Sequence, residues 1–215
     1  MKSWSVKTGT FWVSNSASAA PAEVQARVKT SFHELGRPDL DDLQAAMSSA
    51  GPDEIASRFI AGKRCFGLKQ DGRIAAYGWA TRGVETVGEL ERDLNFHDHE
   101  TYIWDCGTIP ELRGLRLYTA LLSRMLHRLR AEGVERIWIG SDLDNRPSIQ
   151  GIRLAGFDHV LDLGYLRLLH FTFLRFSEAP GADRDSVEAA YRILVKRSEK
   201  RYRRLAFGFQ KKGKT

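Results

Sequence analysis

Residues 102–157 constrain this chain more than any other stretch. They open with an apolar strand, Tyr102-Ile103-Trp104-Asp105-Cys106-Gly107-Thr108, closed by Pro110. A basic, glycine-containing turn follows, Arg113-Gly114-Leu115-Arg116-Leu117-Tyr118, and leads directly into a helical pattern. Leu117, Leu121 and Met125 share one row of that helix, and Tyr118, Leu122, Leu126 and Leu129 the next, with Gly133 as a natural stop. A strand, a basic turn and a helix N-terminus form a ready anion site. The first-turn N–H groups lack intrahelical partners, and the helix dipole adds positive potential. The two arginines beside those amides point to a phosphate or pyrophosphate.

The continuation adds a second buried strand, Ile137-Trp138-Ile139-Gly140-Ser141, and a helix entered through Asn145-Arg146-Pro147-Ser148-Ile149 and left at Ala155-Gly156-Phe157. In order and spacing, three pieces resemble the GNAT superfamily of acyl-CoA-dependent N-acetyltransferases. They are Pro110-Glu111-Leu112-Arg113-Gly114, Glu132-Gly133-Val134, and Asn145 to Ile149 with Gly156-Phe157. The resemblance implies a single α/β domain with a central mixed, mostly antiparallel sheet flanked by helices, and acetyl-CoA or another acyl-CoA as cofactor. It places the pyrophosphate on Arg113, Gly114, Leu115, Arg116, Leu117 and Tyr118, and the pantetheine arm against the backbone of Cys106 and Thr108. Asn145 and Ser148 are implied beside the cofactor, and the thioester where the two strands splay apart. Two positions depart from the family. Its phosphate loop carries small residues where Arg116 and Tyr118 stand, and many members carry an acidic tyrosine where Ile152 stands. Tyr118 and Tyr165 are the nearby tyrosines able to replace that acid, though packing is the first reading of each.

A length of 215 residues, 42% of them apolar, suits one large domain or a domain with an appendage. Residues 1–13 contain no continuous apolar run, which argues against a secretory leader. The longest apolar candidate, Val160 to Leu174, is broken by Asp162, Arg167 and His170, which argues against a transmembrane helix. Cys65 and Cys106 are too few for a disulfide framework or zinc site. The expected setting is cytoplasmic.

In order, the pattern predicts a strand within Trp4 to Val13 and a helix from Pro21 to about Leu35. It then predicts helical pieces over Asp39 to Ala50 and Pro52 to Ile60, and a hairpin around Asp71-Gly72. Beyond Phe157 it predicts strands at His159 to Leu163 and Tyr165 to Phe176, then a final helix from Asp185 to about Arg204. The break at Pro180-Gly181 divides a GNAT-like domain, 1–178, from a basic C-terminal helix and tail, 179–215.

Charge is segregated. From Phe171 onward twelve Lys/Arg oppose five Asp/Glu, a net +7 in a chain whose total is +6, so the high basicity belongs to the tail. That density fits either a solvated tail or an anionic partner: an acyl-carrier protein, nucleic acid or membrane surface. Between Glu85 and Asp105 seven acids oppose only Arg92, which predicts a negative wall and a small cationic amine as acceptor. Glu100 and Asp105 are the candidate bases by position, and Tyr118 completes the candidate catalytic set. Glu100 has the parity of Tyr102 and Trp104, Asp105 the opposite, and a bulge could reverse that. His97 and His99 would share a face of an extended segment, but no companion cluster makes a metal site. The leading function is an N-acyltransferase acting by direct attack of an amine on the thioester. The alternative is a GNAT-like binding or regulatory module that has lost turnover. Self-association as a homodimer is left open.

Overall fold

The computed structural model describes residues 7–47, 50–90, 92–168, 171–196, 200–202 and 205–209. The strands are β1 (Lys7–Asn15), β2 (Ser31–Leu35), β3 (Arg64–Gln70), β4 (Arg73–Thr81), β5 (Val84–Val87) and β6 (Arg92–Asn95). They continue as β7 (Glu100–Thr108), β8 (Arg136–Asp142), β9 (Asp158–Leu168), β10 (Phe171–Glu178), β11 (Lys200–Tyr202) and β12 (Leu205–Phe209). The helices are α1 (Leu40–Ala46), α2 (Pro52–Ile60), α3 (Leu117–Ala131), α4 (Arg146–Leu154) and α5 (Arg184–Leu194).

Ten of these strands join one sheet in the order β11-β12-β10-β9-β1-β8-β7-β4-β3-β2, and β5 and β6 pair separately. Every pairing is antiparallel except β7 with β8. The predicted hairpin forms between β3 and β4. Asp71 and Gly72 both take positive φ, 50° and 82°, as a tight turn matched to strand twist requires.

Period-two alternation divides the core between the two faces. Trp12, Ile137 and Ile139 pack with α3 and α4, among them Leu121, Met125, Leu126 and Ile152. Phe11, Tyr102, Trp138 and Leu163 pack on the other side with Leu94 of β6 and with Val187, Tyr191 and Leu194 of α5. The segment after Pro180 therefore shares its core with the sheet. At the other end of that face, Leu43 of α1 and Ile55 of α2 cover Cys65, Tyr77 and Trp79.

β1 lies between β8 and β9 rather than at an edge, pairing Phe11 with Gly140 and with Leu161. Both faces of β1 are covered, Trp12 by the α3 side and Phe11 and Val13 by the other, and Thr10 to Ser14 are all buried.

Two predicted helices differ from the structure. No helix spans Pro21 to Leu35: residues 21–30 are irregular and β2 follows. Ala26, Val28 and Phe32 all pack against the α3 core, a spacing of two and four that places them on one side of an extended chain. The N–H of Val24 donates to Ser123 Oγ at 3.0 Å and that of Arg27 to the Leu115 carbonyl at 2.9 Å, so tertiary partners replace helical ones. The final helix begins as predicted, capped by Asp183, whose carboxylate accepts from Ser186 N at 2.9 Å. It stops at Leu194 instead of Arg204, and Val195 is already extended, with φ −102° and ψ 118°. Lys196 to Arg204 offer no apolar row to continue the buried stripe. The basic segment instead enters β11 and β12, which extend the sheet from β10. Arg203, Arg204 and 210–215 fall outside the described residues, as does that part of the predicted tail. The break between the preceding strands also moves, because β9 runs on to Leu168.

No helix among the described residues is long and apolar enough to cross a membrane.

Candidate active site

The parallel strands β7 and β8 pair from Glu100↔Arg136 to Ile103↔Ile139 and then part. Beyond that point Trp104 to Thr108 have no partner on the β8 side. An unpaired strand edge of this kind exposes donors and acceptors for an extended ligand. A cavity of about 540 Å³ passes through the gap, touching Ile139, Gly140 and Ser141 on one strand and Trp104, Asp105 and Cys106 on the other.

The parting coincides with a bulge. Tyr77 pairs with Gly107 and Trp79 with Trp104, so Gly78 alone opposes Asp105 and Cys106. Asp105 takes φ 42° to accommodate the extra residue. The bulge turns Asp105 toward Trp104 and sends Cys106 to the opposite face, among the α3 core residues. Arg58 of α2 donates to Asp105 Oδ2 at 2.5 Å and to Glu54 Oε1 at 2.7 Å. Its guanidinium lies 4.7 Å from the Trp104 ring centre and 5.2 Å from that of Trp79. Burial works against its charge, but the two carboxylates outweigh that and hold it more firmly protonated.

Glu85 is buried on the same wall. Its carboxylate accepts from Lys63 Nζ at 2.7 Å and from Thr81 Oγ1 at 2.6 Å, and Thr81 in turn accepts from Trp104 Nε1 at 2.8 Å. Lys63 Nζ lies 4.6 Å from the Trp104 ring centre.

The predicted negative wall is therefore largely cancelled. Of the acids between Glu85 and Asp105 whose side chains are described, only Glu85 and Asp105 touch the cavity, and each carries a paired cation. Those cations come from α2 and the residues after it, more than twenty positions upstream of their partners.

Glu100 is not a candidate base. It is fully buried, away from the cavity wall, and bound by Arg192 Nη2 at 2.7 and 2.6 Å, by His97 N at 2.9 Å and by Trp138 Nε1 at 3.4 Å. Burial alone would raise its pKa, but the His97 N–H and Arg192 outweigh it and hold the carboxyl below its ordinary range. The strand parity that Glu100 shares with Tyr102 and Trp104 holds only on the near side of the bulge.

At the other end of the gap, α3 begins without a side-chain cap, leaving its first-turn N–H groups available. Arg113, Gly114 and Arg116 are exposed around it. Arg116 takes φ 60° and ψ 18° at the N-cap, the left-handed conformation that a glycine there would adopt without strain. The turn geometry is thus kept without the small residue, and the side chain turns outward. Arg116→Gly is expected to raise stability by about 1 kcal/mol in urea unfolding, through relief of that strain. A destabilised variant would show that Arg116 makes a compensating contact.

Tyr118 leaves the turn and crosses to α4. Its hydroxyl lies 2.9 Å from Ser148 Oγ, and a Cβ placed on Gly151 would meet its ring at 2.6 Å. Only glycine at 151 admits the ring there. Burial pushes the Tyr118 phenol well above its usual pKa. Asn145 caps α4 by accepting from Ser148 N at 3.2 Å. Tyr118, Asn145, Ser148 and Cys106 all touch the cavity, whereas Thr108, Arg113, Gly114, Leu115, Arg116 and Leu117 do not. Burial also raises the Cys106 thiol, which suits a packing residue rather than a nucleophile. Ile152 is fully buried in the α3 core.

Sequence reasoning missed three contributors. Arg58 joins the wall from α2. Arg27 reaches the basic turn, donating Nη1 to the Gly114 carbonyl at 3.3 Å. Lys7, Thr8, Gly9, Thr10 and Phe11 of β1 line the cavity. No local periodicity announces any of them, because each arrives by long-range packing. His97 and His99 stack edge to face, with ring centres 5.5 Å apart. No group of three or more His, Cys, Asp or Glu among the described residues is placed to hold a metal ion.

Comparison with known proteins agrees with this geometry. The model of the acetyltransferase (GNAT) family matches residues 31–157. A mycothiol acetyltransferase of Sanguibacter keddieii is 31% identical over 139 residues, covering 65% of this chain and 39% of that protein. The chain thus spans about two-fifths of that relative's length. A GCN5-related N-acetyltransferase from Sphaerobacter thermophilus superposes with a TM-score of 0.56 at 14% identity, over 84% of this chain and 55% of the other. A GNAT-family acetyltransferase structure from Novosphingobium aromaticivorans gives 0.53 at 19% identity, over 82% and 66%. At those identities the structural likeness speaks for the fold alone, but the family match covers more than half of the sequence: the chain belongs to the GNAT acetyltransferase family.

Proposed function

We propose that this chain is an acyl-CoA-dependent N-acyltransferase that transfers an acyl group, acetyl in the simplest case, to a primary amine of a small molecule. The observation that carries this reading is the opening between β7 and β8 beside the uncapped start of α3, with one cavity running through it. The donors present suit an acyl-CoA. The first-turn amides of α3 with Arg113 and Arg116 offer a phosphate cradle, and the unpaired edge from Trp104 to Thr108 offers partners for the pantetheine amides. When bound, the acyl-CoA supplies a thioester carbonyl for the amine to attack and a thiolate that departs.

The chain's own residues manage the protons. An ammonium cannot attack, so a carboxylate must take its proton, and Asp105 lies at the bulge on the cavity wall to do so. Arg58 fixes the orientation of that carboxylate. Tyr118 is the proton donor proposed for the departing sulfur, held by Ser148 and lining the same cavity as Asp105. A donor must be protonated when needed, and burial of the phenol keeps it so.

Calorimetry with acetyl-CoA tests the cradle. Arg113→Ala removes one charge-assisted contact, worth about 1.5–3 kcal/mol, and is expected to weaken binding by roughly tenfold or more. Equal affinity in the parent and in the Arg113→Ala/Arg116→Ala variant would move the phosphates elsewhere. Release of free CoA thiol on adding an amine tests the transfer itself.

A further inference from the structure

The cavity does not end at the gap. It continues to the sheet face opposite α3 and α4, where its wall comes from four separate elements: Phe11 of β1, Leu94 of β6, Leu163 of β9 and Leu194 of α5, with Val87 and Leu90 beside them. We infer that this far half binds the apolar body of the acceptor, and that the acceptor is a monoamine bearing an aromatic or aliphatic group rather than a polyamine or other multiply charged amine. The inference rests on the acyltransferase reading, because it assigns the end of the cavity opposite the proposed cofactor arm.

Three observations support it. Among the described side chains the charges on this wall are already paired, Asp105 with Arg58 and Glu85 with Lys63, and the exposed rim carries Lys7 and Asp142, which are opposite in sign. A second ammonium on the acceptor would lose water there and find no net negative field to replace it. Arg58 and Lys63, each held by its carboxylate, both lie against the Trp104 ring, so this part of the wall is preformed. The apolar side is equally fixed. The Leu194 carbonyl accepts from Arg92 Nη1 at 2.6 Å, and Arg192, two residues earlier, holds the buried Glu100. β1, β9 and α5 lie outside residues 31–157, the part of the chain that the family model matches, whereas Val87, Leu90 and Leu94 lie inside it.

The wall also fits the direction of attack. With the thioester at the gap and its carrier arm on the α3 side, the amine nitrogen must approach from the opposite face. Asp105 stands at the junction, where the nitrogen of an acceptor seated on the apolar wall would arrive.

The test measures release of CoA thiol from acetyl-CoA with two sets of primary amines. Phenethylamine and hexylamine represent the apolar monoamines, and putrescine and spermidine the multiply charged amines. The expected result is a kcat/KM for phenethylamine at least about tenfold above that for putrescine, the scale on which an apolar pocket discriminates. Leu90→Asp and Val87→Asp place a charge on half-buried wall positions, so two independent variants guard against one that misfolds. Each, once shown folded by circular dichroism, should reduce that preference about tenfold while leaving the KM for acetyl-CoA unchanged. Faster turnover of putrescine or spermidine overturns the inference alone, as does acetyl-CoA binding without turnover of any apolar amine. Octanoyl-CoA preferred over acetyl-CoA with every amine also overturns it, because the wall then holds an acyl chain. Failure to bind acetyl-CoA at all overturns the acyltransferase reading beneath it.

Discussion

Replacing Arg192 with leucine is expected to lower the unfolding free energy by about 3 kcal/mol, because it strands a buried carboxylate. Glu100 has no exposed surface, and Arg192 Nη2 is bound to both of its oxygens. Arg136 approaches only to 3.8 Å and cannot replace that pair. For a domain of this size the loss corresponds to a fall in Tm of roughly 6–12 °C in a thermal melt. The Glu100→Gln/Arg192→Leu double variant should recover part of the loss, since the uncompensated charge is then gone while the His97 N–H keeps an acceptor. A double variant no more stable than Arg192→Leu alone would mean that the charge is not the cause.

The same pair carries a pH dependence. The folded pKa of Glu100 is depressed below its unfolded value, which is about 4.3 for a free glutamate. Its contribution is therefore present above that value and is lost as pH falls through the folded pKa. The parent should lose stability on acidification below about pH 4 more steeply than Glu100→Gln.

Asp105→Asn is expected to lower kcat by about 10²-fold, the usual cost of removing a general base, without weakening acetyl-CoA binding. The choice of asparagine matters. Position 105 sits at φ 42°, in the left-handed region that asparagine tolerates better than most residues, so the bulge should survive the change. Alanine would confound lost chemistry with altered backbone. A variant retaining more than half of the parental kcat would move the base to Glu85 or Asp142, the other described carboxylates lining the cavity.

Local chemistry alone determined much of this protein. The rows of Leu117, Leu121 and Met125 and of Leu122, Leu126 and Leu129 dictate α3, because a 3.6-residue period cannot be buried any other way. Asp71-Gly72 dictates the β3–β4 hairpin, since two consecutive residues there must accept positive φ. The basic turn before α3, the two strands around it and the helix opened by Asn145 were legible for the same reason: each is a signal within a few neighbouring residues.

What the tertiary structure decided lies in contacts between distant residues. Period-two parity along β7 could not reveal the bulge at Asp105, which depends on Gly78 in β4 meeting two residues instead of one. The run of acids from Glu85 to Asp105 looked like a negative wall, until folding brought Arg58 and Lys63 to Asp105 and Glu85, its described cavity-facing members. Glu100 resembled a base in sequence and became a structural anion only when α5 delivered Arg192 to it. A strand signal at Lys7–Asn15 states that the segment is extended, not where it pairs. Its insertion between β8 and β9 follows from which buried edges it can satisfy on both sides, a condition that exists only once the whole sheet is assembled.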